Sequence, residues 1–210
     1  MVWVMGSLSP QEIRDTLLSS DSEWQKRLVA WLESCCVGEF LTGTQEEVES
    51  RVAKAKSDNT YVDHTLFVPE IPPQTLDCTC VDKSCGSCDT LSKWWLQFSQ
   101  TTDEIVVQSN VHNCCKDNKW GKCKARFPRK VVEETEVNKE TGSIVMKKLE
   151  QWINTFTPII SYIVRSNTDV TSMLSGTAVK AVVAYVSDYI TKCGLKTHVV
   201  FECIQAILTR

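Results

Sequence analysis

Val131-Val132-Glu133-Glu134-Thr135-Glu136 and Ile144-Val145-Met146-Lys147-Lys148 stand on either side of Asn138-Lys139-Glu140-Thr141-Gly142. Two runs with β-branched residues around a turn that ends in Asn and Gly predict a β-hairpin. Downstream, Ile159-Ile160-Ser161-Tyr162-Ile163-Val164 lies between Pro158 and Asn167 and reads as a buried strand. Upstream, Val2-Trp3-Val4 reads as the end of another strand.

Around these strands the pattern turns helical. Ser9 as N-cap, Pro10 at the first helical position and Glu12 three residues after the cap predict a helix whose apolar face is Ile13, Leu17 and Leu18. Trp24, Leu28, Trp31, Leu32 and Cys35 keep helical spacing, with Gly38 as the stop. Thr44 opens a polar helix through Glu47, Arg51 and Lys54, expected to be exposed. Asp58 to Asp82 is extended and punctuated by Pro69, Pro72 and Pro73. A short helix is expected around Trp94, Trp95, Leu96 and Phe98. Two more are expected, from Thr177 to Lys192 with Gly194 as its stop, and from His198 to Leu208. Strands and helices without strict alternation make the class α+β. The segments divide as 1–77, 78–130 and 131–210, with a Cys/His-rich, basic middle part.

The net charge of −3 conceals a polarised chain. Residues 1–110 carry 8 basic against 17 acidic side chains, and residues 111–210 carry 15 against 9. Lys116 to Lys130 holds seven basic residues and one acid, Asp117. Such a patch suits phosphate neutralisation as well as it suits a solvated loop. No apolar run approaches the ~20 residues of a bilayer span, and Met1 to Gly6 lacks the basic lead of a signal peptide. The expected protein is intracellular and off the membrane. No Gly-x4-Gly-Lys-Ser/Thr stretch is present, so no ATP site is expected.

Eleven cysteines, an odd number, favour metal ligation over a disulfide framework. Cys78, Cys80, Cys85 and Cys88 precede His112, Cys114, Cys115 and Cys123 in a polar setting. These eight ligands fill one structural zinc site comfortably or two tightly. Adjacent Cys114 and Cys115 do not readily share one metal.

Tyr185 and Tyr189 are four residues apart, and Lys192 follows three further on. On a helix all three share a stripe. Two phenols beside a cation suit attack on a phosphodiester. The same spacing suits the apolar side of an amphipathic helix, with Ala181, Val182 and Ile190, and spacing alone favours packing.

Several stretches together resemble one family. They are Trp3 to Asp15, Leu32 to Cys35 with Gly38-Glu39-Phe40, Ser109 to His112, Asp117 to Arg129, Trp152 to Pro158, and Tyr185-x3-Tyr189-x2-Lys192. The chain resembles the replication-initiator (Rep) region of Helitron rolling-circle transposases, often labelled "Helitron helicase-like". The resemblance implies a partial HUH-type antiparallel sheet flanked by helices, with the Cys-rich part as an insertion, in a nuclear protein of a transposon.

It also implies single-strand DNA nicking and joining. In that chemistry a His-x-His pair holds a catalytic divalent cation. Tyr185 and Tyr189 would be the nucleophiles, and Lys192 would stabilise phosphate charge. Lys119, Lys122, Lys124, Arg126, Arg129, Lys130 and Arg165 would contact single-stranded DNA. The family's His-x-His precedes the position matched by Met1, and none of His64, His112 and His198 forms such a pair. The expectation is therefore a Rep fragment that is inactive alone and retains DNA binding. The alternative is a zinc-stabilised nucleic-acid-binding or structural module with no nuclease role.

Overall fold

Helices begin where the sequence supplies a cap. At α1 (Pro10–Leu18) the Ser9 hydroxyl accepts from the Glu12 N–H at 3.2 Å, and Glu12 accepts from the Ser9 N–H at 2.7 Å. This reciprocal pair satisfies two amides that a helix start leaves without partners. Helix α2 (Ser22–Cys35) follows its apolar spacing, but only part of the stripe is covered: Leu32 is buried whereas Trp31 is 61% exposed. At α3 (Gln45–Lys56) Thr44 and Glu47 form a second capping box.

The computed structural model describes residues 8–19, 22–74, 85–113, 123, 125–138, 140, 142–170 and 176–191. They fall into two compact units, Met1–Ser19 with Met173–Arg210, and Ser20–Ser172. The larger unit holds α2, α3, a 3-10 turn at His64–Leu66, α4 (Gly86–Ser109), β1 (Glu136–Val137), β2 (Ile144–Val145) and α5 (Pro158–Val164). The smaller holds α1 and α6 (Gly176–Thr191). The described elements are helix-rich with one small two-stranded antiparallel sheet, an α+β arrangement. Among the described residues, no helix is long and apolar enough to cross a membrane. The strand expected at Val2–Val4 and the helix expected from His198 to Leu208 lie outside the described residues, as does Gly194.

The core of the larger unit is Phe40, Val48, Val52, Val106, Ile153 and Phe156, with Val37, Val107 and Val111 against it. Helix α3 is exposed over most of its residues, as its polarity suggests, but its two valines, at i and i+4, go into the core. Val37 and Phe156 exchange backbone bonds of 2.8 and 2.9 Å, tying the segment after α2 to the one before α5. Gly38 is no helix stop, because α2 ends at Cys35. It is a close approach: a Cβ there would lie 3.0 Å from the Lys148 Cα. Its carbonyl accepts from the Leu149 and Glu150 amides.

The hairpin forms with a shorter ladder than the sequence pattern suggests. Glu136 pairs with Val145 and Val137 with Ile144, while Val132 bridges Lys148. Residues 133–135 therefore oppose only 146–147, so the first strand carries a bulge. The Thr135 hydroxyl compensates there by accepting from the Lys147 N–H at 3.0 Å. Gly142, at φ 66, closes the turn.

Two further expectations are corrected. Ile159 to Val164 is helical (α5), not a buried strand. Pro158 takes the first helical position, where its missing N–H costs nothing, and tertiary context overrides the β-branched run. Its isoleucines and Val164 are 46–58% exposed, and Ser161 and Tyr162 face inward instead. The helix around Trp94 is also no short insert. It runs for 24 residues, and Thr101 to Val106 are all buried within it.

Candidate functional site

The cysteine and histidine candidates divide by the ends of α4. Cys85 is its N-cap and Cys88 lies in its first turn, both half-buried. Cys85 makes no side-chain capping bond. His112 lies just beyond the other end, where its N–H donates to the Trp152 carbonyl at 2.7 Å. A helix rises 1.5 Å per residue, so α4 holds the two groups roughly 30 Å or more apart. One metal cannot be shared between them.

At the far end His112 Nε2 lies 3.1 Å from Cys123 Sγ. The imidazole stacks on Phe127 at 4.2 Å between centroids with 10° between planes. The Arg129 guanidinium stands 4.5 Å from the centroid of the same ring and donates to Asn154 Oδ1 at 3.2 Å. An imidazole nitrogen and a thiol sulfur are two of the ligand types that a tetrahedral zinc takes. Among the described residues, no group of three or more His, Cys, Asp or Glu is placed to hold a metal. Cys78, Cys80, Cys114 and Cys115 lie outside them.

The basic candidates separate too. Arg126 and Lys130 are exposed and Arg129 is half-buried, so they follow the His112–Cys123 pair along the chain. Arg126, at φ 63, turns back with its N–H on the Cys123 carbonyl at 3.0 Å. Lys119, Lys122 and Lys124 lie outside the described residues. Arg165 has different surroundings. It ends α5 in the left-handed region at φ 54, which costs a non-glycine residue about 1 kcal/mol. Its guanidinium lies over the Tyr162 ring at 4.3 Å, and it lines a cavity with His64.

Helix α6 keeps nearly the bounds its sequence predicts. Tyr185 is 67% exposed, and Val182, Val183 and Val186 beside it are 40–46% exposed. Tyr189 is one turn further along the same helix, and Lys192 lies outside the described residues.

Sequence reasoning missed the polar groups buried in α4. Asp103, fully buried, accepts from the Leu41 N–H at 2.7 Å, the Thr42 N–H at 2.8 Å and the Thr42 hydroxyl. Arg51 stands 3.6 Å away. Burial pushes the Asp103 pKa above the ordinary carboxylate range, and these donors pull against it. Glu104 accepts from Tyr61 at 2.5 Å, from Gln108 at 3.0 Å and from His64 Nδ1 at 2.9 Å. Burial, and then the Glu104 carboxylate, push the Tyr61 phenol up to about 12. The only local signal was the pair Asp103-Glu104 itself, and nothing in the sequence tells which loops cover it.

No protein-family model matches the chain, and no curated protein or solved structure matches it either.

Proposed function

We propose that this chain is the single-strand-DNA-binding part of a Helitron-type Rep protein, with zinc ordering its basic segment. The observation that carries the reading is the 3.1 Å approach of His112 Nε2 to Cys123 Sγ, directly before Arg126, Arg129 and Lys130. Zinc held by that pair, with one of Cys114 and Cys115 and a further cysteine completing the set, fixes the segment and aims its cations at a phosphate backbone. Tyr185 and Tyr189 take the place of the family's nucleophiles, and the solvent exposure of Tyr185 supports that role over packing. The 210 residues contain no His-x-His, so they bind the strand without cutting it.

The test is fluorescence anisotropy of a labelled oligo-dT strand titrated with the full chain. Neutralising three phosphates through Arg126, Arg129 and Lys130 gives a log–log salt slope of about −2. Zinc chelation should abolish binding. Binding that ignores both salt and chelator would sink the reading. A covalent adduct with single-stranded DNA in manganese, lost in Tyr185→Phe and Tyr189→Phe, would overturn the statement that it does not cut.

A second reading is a zinc-stabilised module with no nuclease role. Cys85 and Cys88 favour it, because a metal on a Cys-x2-Cys at the start of α4 would anchor that end of the helix. Stoichiometric zinc without DNA binding would select it.

A further inference from the structure

A cavity of about 250 Å³ lies between the 61–70 segment, α4 and the end of α5, all within the larger unit. Its polar lining is His64, Glu70, Gln97, Thr101 and Arg165. Two of these residues are held in place by neighbouring side chains. The Arg165 guanidinium lies over the Tyr162 ring, and that ring packs in turn on Phe98 and Trp94 at 4.8 and 6.1 Å. The Tyr162 hydroxyl donates to the Glu70 carbonyl at 3.0 Å, which fixes the 61–70 segment against α5. His64 is oriented by the 2.9 Å contact of its Nδ1 with Glu104.

What this scaffold holds is incomplete. Arg165 Nε and Nη1 are buried and have no hydrogen-bond partner among the described residues. Buried guanidinium N–H groups are rarely left so, and the backbone at Arg165 is in a conformation that arginine does not favour. The acids nearby are already engaged. Glu104 accepts from Tyr61, Gln108 and His64, and the Glu70 carboxylate, exposed at the rim, accepts from Gln97 at 3.2 Å. The Arg165 guanidinium and the Thr101 hydroxyl belong to the lining of a volume below that of a typical small-molecule pocket. That donor set suits a tetrahedral oxyanion.

We propose that this cavity binds one phosphate group, with the Arg165 guanidinium as the principal donor and the Thr101 hydroxyl as the second. The site is separate from the basic segment 126–130, so it stands whether or not that segment binds DNA. The phosphate belongs either to a small molecule or to a nucleic-acid backbone, and the chemistry at Arg165 is the same for both.

The experiment follows the Arg165 side-chain Nε–H resonance of the full chain by NMR while inorganic phosphate is added. A saturable shift is expected. Arg165→Gln should weaken phosphate binding at least tenfold by calorimetry, while the exposed Lys26→Gln leaves it unchanged. Absence of a saturable shift at Arg165, or equal phosphate affinity in Arg165→Gln, overturns the proposal. Should Arg165→Gln not fold, Arg165→Lys, which keeps the charge and loses the fork, is expected to lose most of the affinity; unchanged affinity there also overturns it. Thymidine monophosphate and oligo-dT then identify the source. Competition by both points to a backbone phosphate, and competition by the mononucleotide alone to a small ligand.

Discussion

Asp89 and Asp103 sit on the same helix, each beside a basic partner, and their situations are opposite. Asp89 pairs with Lys93 at 2.7 Å, with the two side chains 59% and 75% exposed. Asp103 is fully buried and is held mainly by backbone amides, with Arg51 further off at 3.6 Å. An exposed pair gains little because water already solvates both ions. A buried carboxylate with fixed amide donors cannot lose them without being stranded. The half of α4 that carries Asp103 therefore organises the larger unit, and the half that carries Asp89 is available for other work.

That contrast is broken most directly at Asp103. Asp103→Ala leaves the Leu41 and Thr42 amides unpaired and should cost about 3 kcal/mol in urea unfolding followed by tryptophan fluorescence. A loss as small as that of a surface variant would show that water reaches the 39–44 loop. Glu104→Gln comes next, at about 1 kcal/mol, since one carbonyl oxygen replaces two carboxylate oxygens for Tyr61, Gln108 and His64.

Lys148 extends the comparison to bases. Burial, then the Arg129 charge, lower its pKa to about 8, and its ammonium donates to the Ile153 carbonyl at 2.6 Å. An unfolded lysine titrates near ~10.4, so between about pH 8 and that value the unfolded chain holds a proton that the folded one has released. Stability should therefore rise with pH in that window. Lys148 is only half-buried, so solvent screening reduces the gain to about 1 kcal/mol. In Lys148→Met the rise should vanish when melts at pH 7.5 and 9.5 are compared. The smallest effect belongs to Asp89→Asn, for which thermal unfolding should show no measurable change.

What could be read in the sequence was local. The capping box at Ser9 needs only four consecutive residues, and it formed, as did the helix start at Thr44. The hairpin turn and the extent of α6 were equally local. The length of α4 was hidden because its first turns, Gly86-Ser87-Cys88-Asp89-Thr90, carry turn-forming residues and no apolar period. The strand reading of Ile159–Val164 weighed β-branched content above the proline before it. Convergence was not readable at all. His64 and Glu104, or Thr42 and Asp103, meet across long stretches of chain, and no spacing rule links them. The metal candidates were legible as residue types, but their division into two groups depended on the helix between them.

Since the packing of α4 is concentrated toward its second half, the helix should not open as one body. Amide exchange is expected to be slowest across Thr101–Val106 and to quicken toward Cys85, where solvent-facing turns have less to hold them. A metal taken up at Cys85 and Cys88 would then act on time as much as on structure, slowing the fraying of that end while leaving the protected half as it was.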